Sequence, residues 1–180
     1  MNSLSIRTLG LTVIAGVFAA SAACSDGTQD AGTQEVALVS VTPRGGSMSV
    51  NPNTWIEIEF DSRMANGMEQ FCAVHMGELD GGEVAGRWEW SPDRHVLTFT
   101  PDQPLGTSMQ HTLHVGGGIT DADGHHMDFD QHGFDMGGHW VDEDMLSHHG
   151  GMMGGHSHMG DEWQHENSSY GMAFAFRTAP

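Results

Sequence analysis

The chain has no lysine. Its six arginines face twenty-four aspartates and glutamates, a formal net charge of −18 at pH 7. A phosphate backbone is bound by clustered basic charge, so nucleic acid is excluded as a partner. A field of this sign concentrates cations. Cysteine is almost absent, with only Cys24 and Cys72. There is no Gly-x-Ser-x-Gly elbow, no His-Glu-x-x-His and no glycine-rich cofactor loop, so no enzyme is expected. No stretch carries the periodicity of a long helix, and the apolar run Leu9 to Ala20 is short for a membrane span.

What is present begins with an address. Arg7, the apolar run and the small residues Ser21-Ala22-Ala23 read as a secretory signal over residues 1–23. They lead into Cys24, and the junction resembles a bacterial lipobox, although Ser21 stands where leucine is usual. The resemblance implies lipidation of Cys24 and a membrane anchor in the cell envelope. Ser25 after it points weakly to the outer membrane. Residues 24–35 then form the anchor site and a flexible polar tether. With Cys24 lipidated, Cys72 has no disulfide partner and reads as a small buried apolar residue.

Beyond the tether, short strands alternate with turns. Val36–Val41 ends at Pro43. Trp55–Phe60 alternates, with Ile56, Ile58 and Phe60 on one face and Glu57 and Glu59 on the other. Phe71–Met76, Val84–Trp90, His95–Thr100, Gln110–Val115 and Gly171–Thr178 complete seven strands, which predicts an antiparallel β-sandwich. The runs VTPRGGSMSVNPNTWIEIEFDSRM (41–64), VAGRWEWSPD (84–93), LTFTP (97–101), PLGT (104–107), DADG (121–124) and FAFRT (174–178) resemble the bacterial Ig-like domain of the S-layer (SbsA-like) type. That resemblance implies an all-β, Ig-like sandwich over residues 36–180, outside the cytoplasm and without catalytic residues. In the family only a few residues separate the DxxG turn from the last strand. Here residues 125–169 intervene, as a long His/Met/Gly-rich loop insertion.

The insertion is where the chemistry concentrates. Residues 125–165 hold nine of the thirteen histidines and six of the thirteen methionines. The candidate metal ligands are His125, His126, Met127, His132, Met136, His139, His148, His149, Met152, Met153, His156, His158, Met159 and His165. Thioether sulfur favours Cu(I), and imidazole with carboxylate suits Cu(II) and zinc, so copper is the expected ion and zinc the rival. Intervening glycines let the backbone bend around an ion. Trp140, Val141, Met145 and Leu146 suggest a short helical turn on the sandwich or a partner site, and Trp163 and Tyr170 suggest packing at the insertion's end.

Outside it, Met64, Met68, Cys72, His75 and Met76 form a second soft-ligand group. Strand alternation, however, turns His75 away from Cys72. His111 is expected in the core, His114 on the outward face where it could assist the insertion, and His95 at a turn edge. The functional expectation is an extracytoplasmic copper-binding protein that sequesters, buffers or hands off the ion, with another copper-handling envelope protein as a possible recipient. The alternatives are a zinc-binding protein and a structural or adhesive surface module.

Overall fold

In the computed structural model, the described residues are 36–129, 133–142, 145, 163–165 and 168–180. They form nine strands: β1 (Val36–Thr42), β2 (Ile56–Phe60), β3 (Cys72–Met76), β4 (Gly86–Trp90), β5 (Val96–Pro101), β6 (Gln110–Val115), β7 (Met127–Asp128), β8 (His139–Trp140) and β9 (Met172–Arg177). A short 3-10 turn, Met68–Phe71, leads into β3. One sheet runs β4-β5-β2-β1-β7 and the other β3-β6-β9-β8. Every pairing is antiparallel except β1 with β7. All of these residues fall in one compact unit, Thr33–Pro180.

Period-two alternation builds the core. On β2, Ile56, Ile58 and Phe60 are buried while Glu57 and Glu59 are half-exposed. Opposite them lie Leu113 and Val115 of β6 and Met172, Phe174 and Phe176 of β9, all in one apolar cluster. Each large side chain so buried contributes roughly 1.5–3 kcal/mol. Trp90 closes the cluster at the β4 edge. Its indole N–H donates to Glu69 Oε2 at 2.8 Å, and the Arg94 guanidinium lies 5.1 Å over its ring.

The seven strands expected from the sequence are all present, with β2, β3, β5 and β9 starting one residue later and β4 two residues later. Within residues 125–169, four described residues form short strand pairings that the sequence did not predict. Met127 and Asp128 pair with Val36 and Ala37, and His139 and Trp140 pair with Ala173 and Met172, so the segment adds a strand to each sheet. Trp140 therefore sits in a strand rather than in a helical turn. Met145 is exposed, Val141 is buried, and Leu146 lies outside the described residues. Phe129, Met136 and Trp163 also join the core.

The β9 edge is covered in two parts. Segment Gly46–Val50 covers its C-terminal half: Gly46 N–H donates to Ala175 O, Arg177 N–H to Ser47 O, and Val50 N–H to Arg177 O. β8 covers its N-terminal half. The two covers abut at Gly45 and Gly137, where Gly45 N–H donates to Met136 O at 2.8 Å. A Cβ on Gly45 would overlap the Gly137 carbonyl, and Gly137 itself has φ 78°, so both positions require glycine.

Phe129 tests whether the insertion is structural. Its ring is fully buried and packs edge-on against Trp140 at 5.5 Å. Phe129→Ala is expected to lower stability by about 3–5 kcal/mol in urea denaturation. A loss below ~1 kcal/mol would show that this part of the insertion is detachable.

Candidate metal centre

Of the candidate ligands, His132, His148, His149, Met152, Met153, His156, His158 and Met159 lie outside the described residues, as does Cys24 with the signal and tether. The remaining six divide by what their strands do with them. Met127 (1% exposed) and Met136 (7%) have their side chains in the apolar core, which differs from the sequence reading. Burial won because β7 and the 133–137 turn are themselves part of the sandwich. His165 is half-buried between Phe129 and Trp140, and its Nε2 donates to Met127 O at 2.9 Å. His126 and His139 are exposed.

His125 is oriented by Asp121. Asp121 Oδ1 accepts the backbone N–H groups of Asp123 (2.9 Å) and His125 (2.8 Å), and Oδ2 lies 2.9 Å from His125 Nδ1. Burial opposes the charge on Asp121, but these hydrogen bonds outweigh it and hold the carboxyl below its ordinary range. A carboxylate on Nδ1 leaves Nε2 as the ligand-capable atom, the usual support for a metal-binding histidine. Among the described residues, Asp121, Asp123 and His125 are the one trio of such donors lying within 4.8 Å of one another. Asp121 is already committed to the turn, so His125 and the exposed Asp123 are the trio's available donors.

The second soft-ligand group does not converge. Met64 is in the core, Met68 sulfur accepts the Thr120 N–H at 3.3 Å, and Met76 is exposed. Cys72 faces the inner core, where burial, with Glu69 adding to it, pushes the thiol up far beyond the range in which a thiolate forms. His75 is on the opposite face, as alternation requires.

That opposite face was undervalued in the sequence. His114 is outward on β6 as expected, yet it is fully buried, because the insertion's Trp163 lies over it with ring centres 5.1 Å apart. Gly116 makes room, since a Cβ there would meet the Trp163 ring. His75, 7% exposed, lies beside it with ring centres 6.3 Å apart. Register puts Ala73, His114, Ala173 and His139 in one row across four strands. His111 faces the core and stacks on Phe176 at 5.6 Å. His95 Nδ1 donates to Phe60 O at 3.2 Å, at a turn edge. A surface groove of about 450 Å³ between residues 52–57 and 98–104, with Trp55 exposed, contains no histidine or methionine.

Two packed, mostly antiparallel sheets define an Ig-like sandwich. The bacterial Ig-like domain family matches residues 32–134, and the chain belongs to that family. The match runs past Gly124 to Phe134, so β7 falls within the family's span. No curated protein matches the chain. Among solved structures, the S-layer protein rSbsC(31-844) is 13% identical with a TM-score of 0.38, over 52% of this chain and 12% of that one. L,D-transpeptidase 1 of Mycobacterium tuberculosis is 16% identical with a TM-score of 0.36, over 44% and 35%. An L,D-transpeptidase of Mycobacterium smegmatis is 24% identical with a TM-score of 0.37, over 47% and 37%. The chain thus spans well under two thirds of each of these proteins.

Burial gives the histidine face a pH signature. Desolvation is the largest influence on His114 and pushes it down to about 4. The Tyr170 hydrogen bond opposes this, and neighbouring His75 and His139 add to it. His75 is also lowered by desolvation, against the Gly81 hydrogen bond and the nearby Glu83 and Asp80. The unfolded chain takes up a proton on His114 near pH ~6.5, while the native state resists until about 4. Stability is therefore full above ~6.5 and falls as pH drops towards about 4, by on the order of 3 kcal/mol from His114. Urea midpoints at pH 7 and 4.5 should differ less in His114→Gln than in the parent. Equal pH sensitivity in the two would show that His114 is not held neutral.

Proposed function

We propose that the protein is an extracytoplasmic metal-binding Ig-like module, with copper as its ion, that sequesters, buffers or hands off the metal through the tip of its insertion. The observation that carries this is how the sandwich frames the tip. Val141 N–H donates to Gly171 O at 2.9 Å, and Tyr170 N–H donates to Val141 O at 2.7 Å. Inside that stem, His165 and Ser169 close a turn, His165 N–H donating to Ser169 O. The segment with His148, His149, Met152, Met153, His156, His158 and Met159 thus begins and ends at one hydrogen-bonded point. The stem between Val141 and Tyr170 already offsets part of the entropy of closing that segment.

Imidazole and thioether together suit copper in either oxidation state, and the net charge of −18 draws cations to the surface. His125, held by Asp121, and exposed His126 and His139 supply further imidazoles on the framework. Lipidation at Cys24 would tether the module to a membrane of the cell envelope, near a copper-handling partner. Zinc binding through the same histidines is the alternative ion. A structural or adhesive role is the alternative class, and it draws support from the family.

Replacing all of residues 125–169 would strip Phe129 and Trp163 from the core, so the informative variant changes only the tip. With those seven tip ligands changed to serine, competition titrations against Cu(I), Cu(II) and Zn(II) should show most of the binding lost. The parent's affinity should fall between pH 7 and pH 5 as imidazoles protonate. Binding indifferent to the tip, or none in the parent, would leave a structural surface module.

A further inference from the structure

We propose that His75 Nε2 and His114 Nδ1 form a second, buried binding site for a soft monovalent ion of the Cu(I) or Ag(I) class, on the outer face of the β3-β6-β9-β8 sheet. It stands on other residues than the tip and does not depend on the reading of the tip.

Each ring is fixed by its other nitrogen. His75 Nδ1 lies 3.3 Å from Gly81 O, and His114 Nε2 lies 2.7 Å from Tyr170 O. A carbonyl oxygen only accepts, so those nitrogens carry the protons and the remaining ones carry bare lone pairs. Backbone carbonyls acting on one nitrogen are how metal-ligating histidines are set in tautomer and orientation. The two carbonyls lie on opposite flanks. Gly81 belongs to the segment that bridges His75 to Glu83 beyond β3, and Tyr170 precedes β9 on the other side of β6. The two bonded nitrogens are thus held by carbonyls on opposite sides of the ring pair.

Both bare nitrogens are buried and without a hydrogen-bond partner among the described residues. Leaving one such group unsatisfied costs about 1–3 kcal/mol, and such groups are rare in native interiors. Two on adjacent rings of one face call for a shared partner. An ion ~2.0–2.1 Å from a nitrogen of each ring, with the two nitrogens opposite one another, separates the ring centres by roughly 6 Å, close to the observed 6.3 Å. Burial keeps both imidazoles neutral and ready to ligate at neutral pH.

The donor count selects the ion. Zinc requires four ligands, and no third His, Cys, Asp or Glu among the described residues joins this pair within 4.8 Å. Two neutral imidazoles under Trp163 offer no charge to offset a divalent ion, whose burial is costly. A monovalent ion content with two nitrogen ligands fits both limits. The rival occupant is a bridging water that donates to both lone pairs.

The test uses the full chain labelled with nitrogen-15 at histidine, followed by long-range proton–nitrogen correlation as Ag(I) is added. His75 Nε2 and His114 Nδ1 should shift together, while His75 Nδ1 and His114 Nε2 remain protonated. In the serine-substituted tip variant one equivalent should still bind, and His75→Gln in that background should abolish it. Bare-nitrogen signals unmoved at any ratio would overturn the proposal in favour of water, as would a tip variant that retains no Ag(I). Failure of the tip reading has a different signature, in which tip substitutions leave total metal uptake unchanged.

Discussion

The structure depends on covering the second face of the β6–β9 ladder. An Ig-like sandwich buries one face of each sheet by packing the two together. Here β6 is buried on both, with Leu113 and Val115 inward and Thr112 and His114 outward. The outward cover comes from the insertion, through Trp163 on His114 and the backbone at Tyr170, and from the segment around Gly81 beside His75. That cover is hydrogen-bonded at Val141 and Tyr170 and seated by Phe129, so the described residues between 125 and 170 belong to the fold.

Most of the sandwich was legible because alternation is a local signal. Ile56, Ile58 and Phe60 declare their face without knowledge of a partner, and Asp80-Gly81-Gly82 and Ser91-Pro92-Asp93 declare their turns. The two short strands β7 and β8 were not legible. β7 and β8 have two residues each, too few to show any period, and they exist because open edges of β1 and β9 were available. Met127 and Met136 were read as ligands by the company they keep in sequence. In space they keep the company of Phe129 and Phe174, and composition cannot tell a thioether in a core from one facing an ion.

The histidines show the same limit. His114 was placed on the correct face of its strand, but an outward face was equated with solvent. Trp163, about fifty residues further on, decides otherwise, and no local pattern announces such a cover. Asp121 was read as a turn residue, and it is one, yet its second oxygen also orients His125. The same carboxylate shapes the chain and prepares a donor, which is how a binding function can be added to a scaffold without dismantling it.

The Gly45–Gly137 contact has a consequence for how this chain meets others of its kind. Gly46–Val50 and β8 together occupy the exposed edge of β9, and β7 takes the open edge of β1 at Val36 and Ala37. Unpaired edges are templates on which a neighbouring molecule can continue a sheet. These segments thus cover backbone that would otherwise be open to further pairing.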